Sequence, residues 1–283
     1  MQAGASPQTL NIIGCGKVGK TLARLWAEQG TFAVQDVLNR SAESARQAVS
    51  FIGAGRAAED YPTLRPADVY MIAAADDQIA HCCEQLARAG KLSAHTIVFH
   101  CSGALPSSAL QAARQAGAAV ASVHPIRSFA VPEQAVAGFA GTWCGAEGDR
   151  RALDVLNEAF AAIGARMVPI HADGKIIYHS AAVFACNYLV TLLDVALAAY
   201  AKAGVPQDIA LQLMEPLVRG TVDNVFRIGP AQALTGPIAR GDMATAEKQA
   251  HAVAEWNDEY GKLYAQFVQL TSALAARRNG AQA

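Results

Sequence analysis

The chain has 283 residues, is 52% hydrophobic and carries a formal net charge of −1 at pH 7. This length suits one large domain or two, with a sizeable buried core. The near-neutral charge gives no electrostatic reason to expect nucleic acid or an anionic membrane as a partner. Six cysteines occur without a C-x-x-C pair, so we expect reduced thiols in a cytoplasmic protein, with no metal site and no disulfide framework.

The N-terminal residues 1–8 lack the basic start and the apolar stretch of a signal peptide, and we expect a flexible tail there. One apolar run, residues 181–201, is about long enough to span a bilayer. Asp194 near its middle would cost roughly 3 kcal/mol in that position, and Asn187 adds to the cost. We therefore expect a long helix buried inside the protein rather than a membrane span.

Residues 9–170 alternate short β-rich runs with helical stretches. Strands are predicted at TLNIIGCG (9–16), FAVQDVLNR (32–40), DVYMIAAA (68–75), HTIVFHCSG (95–103), AAVASVHP (118–125), 141–144 and ARMVPI (165–170). The first helix follows the first strand and stops at Gly30; Ser41 caps the second helix, and Asp76 or Asp77 caps the third. This alternation predicts βαβ units and a parallel sheet covered by helices on both faces.

From about residue 171 the β-rich runs end and helical patterns continue to the C-terminus. We expect one long helix from Asp173 to near Gly204, a second over 207–228 and two more after residue 242. The predicted fold is an α/β Rossmann-type parallel sheet over residues 9–170, followed by an all-α domain over residues 171–283 for substrate binding and dimerisation. Because the long helix is apolar around most of its circumference, we predict a homodimer formed through the second domain.

A G-x-G-x-x-G motif lies between the first strand and the first helix, and it comprises Gly14, Cys15, Gly16, Lys17, Val18 and Gly19. Such a motif is weak evidence alone, but this position in a βαβ unit is the one that binds dinucleotides. Gly14 permits the tight turn, Gly16 lets the backbone approach a pyrophosphate, and Gly19 allows close packing of helix on strand. Ala74 and Ala75, at the end of the third predicted strand, are also expected to contact the cofactor.

The second strand ends in Asn39, Arg40 and Ser41, where an NAD-binding domain has an acid that holds the ribose hydroxyls. Arg40 would instead attract a 2′-phosphate, with Asn39 and Ser41 donating to it. Asp36, the nearest acid, lies three residues back within the strand. These residues predict NADP(H) as the cofactor; the alternative is that Arg40 is merely solvated.

Several features of the sequence resemble a known group of proteins. The glycine motif, the N-R-S of residues 39–41 and the helical second half are three such features. Four longer motifs accompany them: HCSGALPSSAL (100–110), SVHPIRSF (122–129), YHSAAVFACNYLVTLLDVA (178–196) and ALTGPIARGD (233–242). Together they resemble the 6-phosphogluconate dehydrogenase-like superfamily, which includes β-hydroxyacid dehydrogenases and pyrroline-5-carboxylate reductase. They look most like an uncharacterised branch of two-domain Rossmann-type candidate NADP oxidoreductases. The resemblance covers nearly the whole chain and implies a helical domain that commonly dimerises.

The chain departs from this superfamily at the catalytic lysine. β-Hydroxyacid dehydrogenases carry K-x-x-x-N on the first helix of the second domain, with the lysine as acid or base. If Asn187 matches the asparagine, the lysine position is Val183. Lys175 lies twelve residues, roughly 18 Å, before Asn187 along a helix, so we do not expect it to substitute. The P-G-G-T stretch of the proline reductases is absent as well.

Ligands of α/β sheets collect at the carboxyl ends of the strands, where the sequence places Asp76–Asp77, residues 100–103 and His124. By resemblance, Ser102 and Gly103 contact substrate beside the nicotinamide. Arg240 lies in a Gly/Pro-rich loop and could clamp an anionic substrate. His124 and His179 are candidate proton donors, and Ser102 and Asn187 would orient the substrate. Each also has a structural alternative: a strand-to-helix turn for the loop and packing contacts for the histidines and Asn187.

The function expected is an NADP(H)-dependent oxidoreductase that transfers hydride to or from a small carbonyl, imine or hydroxy-acid substrate. A non-catalytic NADP(H)-binding regulatory or scaffold protein is the alternative, favoured by Val183 at the lysine position. A deazaflavin-linked reductase is a weaker third. A histidine acid would be half-protonated near pH 6.5 before its environment shifts the pKa, so reduction is expected to weaken as the pH rises past that pKa. A nucleophilic role for Cys101 is disfavoured, because no G-x-S-x-G elbow surrounds it.

Overall fold

The structure is a computed structural model that describes residues 6–280. Most of the tail predicted over residues 1–8 lies outside the described residues, and the first strand begins at Gln8. The chain divides into two compact units, Met1–Ala185 and Cys186–Ala283. The domain boundary expected between residues 170 and 171 stays a prediction.

The first unit contains one eight-stranded sheet flanked by helices. Its strands are β1 Gln8–Ile13, β2 Phe32–Leu38, β3 Arg56–Ala58, β4 Val69–Ile72, β5 Ile97–His100, β6 Ala119–Pro125, β7 Trp143–Gly148 and β8 Arg166–Pro169. Its helices are α1 Lys17–Gln29, α2 Ala42–Ile52, α3 Asp76–Arg88, α4 Gln111–Gln115, α5 Pro132–Ala137, α6 Arg150–Ala162 and α7 Lys175–Ala182, with 3-10 turns at Ser107–Leu110 and Ala172–Gly174.

The strand order is β3-β2-β1-β4-β5-β6-β7-β8, so the Rossmann-type fold predicted from the sequence is confirmed. One detail differs: β6 pairs with β7 in antiparallel fashion, and β7 and β8 are parallel to each other. Since antiparallel neighbours need no crossover helix, the chain returns beside β6 after only the short α5. The three-residue β3 was not predicted, because so short a strand leaves no alternation to detect.

The sheet is buried on both faces, as its continuous apolar strands predict. Trp26 of α1 lies at the centre of one face, where its ring meets Phe32, Phe99 and Phe160 edge-on. The indole N–H donates to the carbonyl of Ala159 at 2.8 Å, so its one polar atom is satisfied in the core. This packing fixes the strands whose carboxyl ends carry the site.

The second unit is helical, as predicted: α8 Tyr188–Lys202, α9 Gln207–Ile228, α10 Pro230–Ala233, α11 Met243–Trp256 and α12 Asp258–Gly280, with a 3-10 turn at Ile238–Arg240. A π-helical turn, Val183–Asn187, joins α7 to α8. The predicted long helix is therefore present but interrupted by one π turn. The sequence analysis did not anticipate this interruption.

The long helix is not buried within one chain, which corrects the expectation from the sequence. Among the described residues, the stretch Ala172–Lys202 is long and apolar enough to cross a membrane, with a mean hydropathy of 1.8, yet none of its most apolar window is buried. Ile177 and Val190 are 72% and 69% exposed. Hydropathy indicates that such a helix needs cover, but not whether the cover belongs to the same chain.

Candidate active site

The glycine motif forms a tight turn between β1 and α1. Gly14 has φ +74°, its N–H donates to the Leu38 carbonyl at 2.8 Å, and a Cβ here would lie 2.7 Å from Ala74. A Cβ on Gly16 would have only the Gly14 carbonyl oxygen within about 4.0 Å, whereas one on Gly19 would lie 3.1 Å from Ala73. The turn thus leaves open space at Gly16, where a pyrophosphate could approach the backbone.

The residues that follow β2 support this turn and include a cation, Arg40. Asn39 Oδ1 accepts from the Cys15 N–H at 2.6 Å, so the Asn39 amide group retains its N–H donors for a ligand. Ser41 caps α2, as predicted, by accepting from the Ser44 N–H. Arg40 is exposed. Asp36 is fully buried and paired with Arg56 and Arg65.

The Asp36 carboxylate is therefore unavailable to a ribose. Its pKa is lowered, since hydrogen bonds from Arg65 and Arg56 outweigh the effect of its burial. The acid that would specify unphosphorylated adenosine ribose is thus held within the fold. This geometry fits the reasoning that singled out Arg40.

A cavity of about 700 Å³ opens beside the glycine turn. Its walls are the ends of β1 and β2, the segment after β3, and the first turns of α3. Gly14, Asn39, Arg40, Ala74 and Ala75 all line it. Five of the residues predicted to hold the cofactor therefore share one cleft.

Asp76 and Asp77 do not cap α3, contrary to the expectation. The N-cap residue is Ala75, without a side-chain cap, and both acids lie in the first turn. Asp77 lines the cavity. Asp76 instead accepts a hydrogen bond from Ser102 Oγ at 2.8 Å, so it ties α3 to the loop after β5.

Ser102 is held by hydrogen bonds on every side. Besides donating to Asp76, its Oγ accepts from the N–H groups of Ala104 and Leu105 at 3.1 and 2.9 Å. Both acceptor lone pairs and the hydroxyl proton are therefore in use. The side chain shapes the loop, and its role as a substrate contact stays a prediction.

Lys175 reaches the same loop from the first turn of α7. Its side chain is 1% exposed; Nζ donates to the Ser102 carbonyl at 2.8 Å and contacts Ser122 Oγ of β6. Burial lowers the pKa of Lys175 to about 8, despite the opposing effects of Glu147, Cys101 and Asp76. Lys175, Asp76 and Ser102 therefore form a polar cluster, together with Ser122. From the sequence we did not expect Lys175 to take the place of the catalytic lysine.

Two histidines flank Gly103 in this cluster. A Cβ on Gly103 would lie 2.5 Å from His179 Nδ1 and 2.9 Å from His124 Cε1, and the two imidazole centroids are 5.7 Å apart. His124 Nδ1 is 3.1 Å from the Tyr178 hydroxyl. His179 Nδ1 is buried and has no hydrogen-bond partner within residues 6–280.

The electrostatics change the roles expected of these groups. Burial, with the nearby Lys175 and His179, lowers the pKa of His124 to about 4, so His124 is neutral at pH 7. The shift from the reference value of 6.5 is therefore large and downward for His124, because desolvation disfavours the charged imidazolium. Lys175 instead carries a proton at neutral pH.

Two neighbouring groups are structural. His100 accepts from the Ser102 N–H at Nδ1 and contacts the Pro106 carbonyl through Nε2; burial lowers its pKa to about 4. Burial also raises the pKa of the Cys101 thiol, which disfavours the thiolate that a nucleophilic cysteine needs. Within residues 6–280, no group of three or more His, Cys, Asp or Glu side chains is placed to hold a metal ion.

Two predicted site residues belong to the second unit. Asn187 ends the π turn and is exposed, and its carbonyl accepts from Thr191 Oγ1. Arg240 is exposed at the end of a 3-10 turn. Their roles toward substrate stay predictions.

Lys175 and Tyr178 are not among the predicted site residues, although their spacing in the sequence could have indicated them. Lys175, Tyr178 and His179 stand at i, i+3 and i+4 of one helix, which places them on one face. The spacing K-x-x-x-H reproduces the K-x-x-x-N spacing of β-hydroxyacid dehydrogenases, with His179 in place of asparagine. Matching the asparagine to Asn187 put the lysine position at Val183, and so hid this alignment.

Comparisons with known proteins agree with the fold. A model of a Rossmann-like domain matches residues 4–125, and a model of a domain of unknown function (DUF2520) matches residues 142–271. Each of the two models therefore matches less than half of the chain. No curated protein matches it.

Solved structures share the fold over nearly the full length. A protein from Thermotoga maritima is 26% identical with a TM-score of 0.75, covering 96% of this chain and 100% of that one. A candidate NADP oxidoreductase from Bacteroides fragilis is 21% identical with a TM-score of 0.73, covering 95% and 99%. A variant imine reductase from Myxococcus stipitatus, in complex with NAD+, is 17% identical with a TM-score of 0.66, covering 96% and 99%.

Proposed function

We propose that the protein is an NADP(H)-dependent oxidoreductase that reduces, or forms by oxidation, a small carbonyl or imine compound. The observation that carries the proposal is the shared cleft of Gly14, Asn39 and Arg40. A nearby acid, Asp36, is withdrawn into ion pairs. The names of the B. fragilis and M. stipitatus neighbours support the same chemistry.

The donor set at the end of β2 suits a 2′-phosphate. Arg40 offers a guanidinium that can bind phosphate oxygens in bidentate fashion, and Asn39 offers an amide N–H beside it. Gly16 leaves the N-terminus of α1 open, where backbone N–H groups and the helix dipole favour a pyrophosphate. Together these groups would hold an NADP(H) molecule by its anionic parts.

The polar cluster at the carboxyl ends of β4, β5 and β6 would serve the reacting end. Bound NADPH would supply hydride, and the chain supplies polarisation and a proton. His124, neutral and half-buried, is placed beside Gly103 to contact a substrate carbonyl or imine. Lys175 keeps a proton on Nζ at neutral pH, and a pKa of about 8 is well matched to releasing it during reduction.

The ammonium of Lys175 also contributes through its charge. Its two acceptors, the Ser102 carbonyl and Ser122 Oγ, are neutral, so it is not cancelled by a direct ion pair. A positive charge in this little-hydrated place stabilises negative charge that develops on a substrate oxygen. Lys175 would thus provide the lysine whose absence from position 183 favours a non-catalytic regulatory or scaffold protein.

Cofactor choice tests the proposal directly. We expect NADPH to bind about ten- to a hundredfold more tightly than NADH, since one charge-assisted contact contributes roughly 1.5–3 kcal/mol. Arg40→Ala should remove most of that preference and leave NADH binding nearly unchanged. Arg46→Ala is the matched control, because Arg46 is an exposed arginine of α2 that pairs with Glu43. Equal affinities of the wild type for the two cofactors, measured by calorimetry, would refute NADP(H) specificity.

Turnover needs a separate measurement. A panel of keto acids and imines, screened by the loss of NADPH absorbance, would identify the substrate class. Tight NADPH binding without turnover of any panel member would favour the regulatory function.

We also propose that the protein belongs to the 6-phosphogluconate dehydrogenase-like superfamily, is cytoplasmic, and forms a homodimer through its helical half.

A further inference from the structure

Tyr178 contacts His124 in a geometry that determines which imidazole nitrogen carries the proton. The hydroxyl oxygen lies 3.1 Å from His124 Nδ1, and the two rings are perpendicular, with centroids 5.7 Å apart. Two arrangements satisfy this distance. Either the phenol donates to an unprotonated Nδ1, or a protonated Nδ1 donates to the phenol oxygen.

The chemistry of the pair favours the first arrangement. A phenol is a stronger acid than a neutral imidazole N–H, and an imidazole nitrogen is a stronger acceptor than a phenol oxygen. The 3.1 Å contact is therefore best satisfied when Tyr178 donates to His124 Nδ1. Gly145 is required for this contact, because a Cβ there would lie 2.5 Å from the hydroxyl.

The opposite nitrogen of His124 faces the loop after β5. Nε2 would lie 3.0 Å from a Cβ on Gly103, whereas the contact with Tyr178 uses the other nitrogen, Nδ1. The neighbouring His100 cannot take this role, since both of its nitrogens are engaged by the loop. A proton on Nε2 would therefore be presented at Gly103.

We propose that Tyr178 is a positioning residue that donates to His124 Nδ1 and thereby fixes the tautomer with its proton on Nε2, directed at the substrate. The functional half rests on the proposed oxidoreductase activity, whereas the tautomer itself does not. Tyr178 would act through His124 and would not touch the substrate. The arrangement resembles other outer partners that orient a working histidine by binding its second nitrogen.

Nitrogen NMR of the full-length protein labelled with 15N-histidine tests the tautomer. At pH 7 we expect His124 of the wild type to show an unprotonated, hydrogen-bonded Nδ1 and a protonated Nε2. Tyr178→Phe should shift the Nδ1 resonance toward that of an imidazole nitrogen without a donor. Tyr264→Phe is the control, since it removes a hydroxyl that bonds Gln249 in the second unit. A protonated Nδ1 in the wild type overturns the proposal, even if Tyr178→Phe fails to fold.

Kinetics test the functional half. With the substrate found by the panel, Tyr178→Phe should lower kcat roughly 10- to 100-fold, as is typical when an orienting partner is lost, and leave NADPH affinity unchanged. An unchanged kcat overturns the positioning role. A wild type that neither binds nor oxidises NADPH overturns the proposed function instead, and the NMR result still decides the tautomer.

Discussion

Gly103→Ala is the sharpest perturbation of the candidate site. The added methyl group would lie 2.5 Å from His179 Nδ1 and 2.9 and 3.0 Å from His124 Cε1 and Nε2. All three distances are well inside van der Waals contact, so both imidazoles must move. Gly103 is not among the glycines with positive φ, so the effect is steric and not a matter of backbone strain.

The expected cost follows from the packing. Overpacking by one methyl group typically costs about 1–3 kcal/mol, and a unit of this size loses roughly 2–4 °C in Tm per kcal/mol. A fall in Tm of about 2–12 °C is expected. Displacement of His124 by as little as about 1 Å should lower kcat roughly a hundredfold, whereas NADPH affinity should be unchanged, because the cofactor cleft is formed by other residues.

Gly174→Ala is the control for this experiment. Gly174 precedes α7 in the same unit, has φ −87°, and a Cβ there would meet only His171 at an ordinary 3.8 Å. Thermal denaturation and steady-state kinetics of the two variants, side by side, separate crowding from the loss of a glycine. If Gly103→Ala kept the Tm and kcat of the wild type, the two histidines would not pack on this loop as described.

Two further predictions concern protonation and assembly. Because burial lowers the pKa of Lys175 to about 8 and that of His124 to about 4, turnover should stay level between those values and fall above pH 8 as Lys175 loses its proton. A single decline near pH 6.5 in the pH–rate profile would contradict these assignments. Light scattering should show a homodimer at micromolar concentration. Apolar side chains such as Leu217 and Phe226 are 62% and 86% exposed in the single chain, and a dimer interface would bury such side chains. Obligate interfaces commonly exceed roughly 2,000 Å². A monomer in solution, or a chain that partitions into lipid vesicles, would contradict the dimer.

The Rossmann-type half was predictable because its signals are local. Period and composition mark each strand, and the glycine motif adjoins both the strand and the helix that it connects. The same reasoning placed Asp76, Ser102 and His124 at one sheet edge, where the structure joins Asp76 to Ser102 at 2.8 Å. The antiparallel direction of β7 was not predicted. The direction of a strand depends on the path of the connection that precedes it, and the composition of the strand does not indicate that path.

The site was harder to predict because its key contacts are not local. Lys175 Nζ donates to the Ser102 carbonyl, which is 73 positions away in the sequence. Because every residue has a backbone carbonyl, the residue type does not indicate which carbonyl accepts. The sequence does not show how strongly a side chain is desolvated, so the direction and size of the pKa shift at His124 could not be predicted from it. The i, i+3, i+4 spacing of residues 175, 178 and 179 was readable, but the family motif was placed two turns further on.

The protonated form of Lys175 destabilises the folded state, and this cost suggests that the lysine is kept for chemistry. A pKa lowered from 10.5 to about 8 means that the folded state disfavours the charged form by roughly 3 kcal/mol, at about 1.4 kcal/mol per pKa unit. Since the unfolded chain binds the proton more tightly, this destabilisation is fully present below pH 8 and is relieved as pH rises toward 10.5. An apolar side chain of similar length would avoid it. A fold that keeps an ammonium at the strand ends, beside a neutral His124, is better explained by chemistry at that edge than by stability.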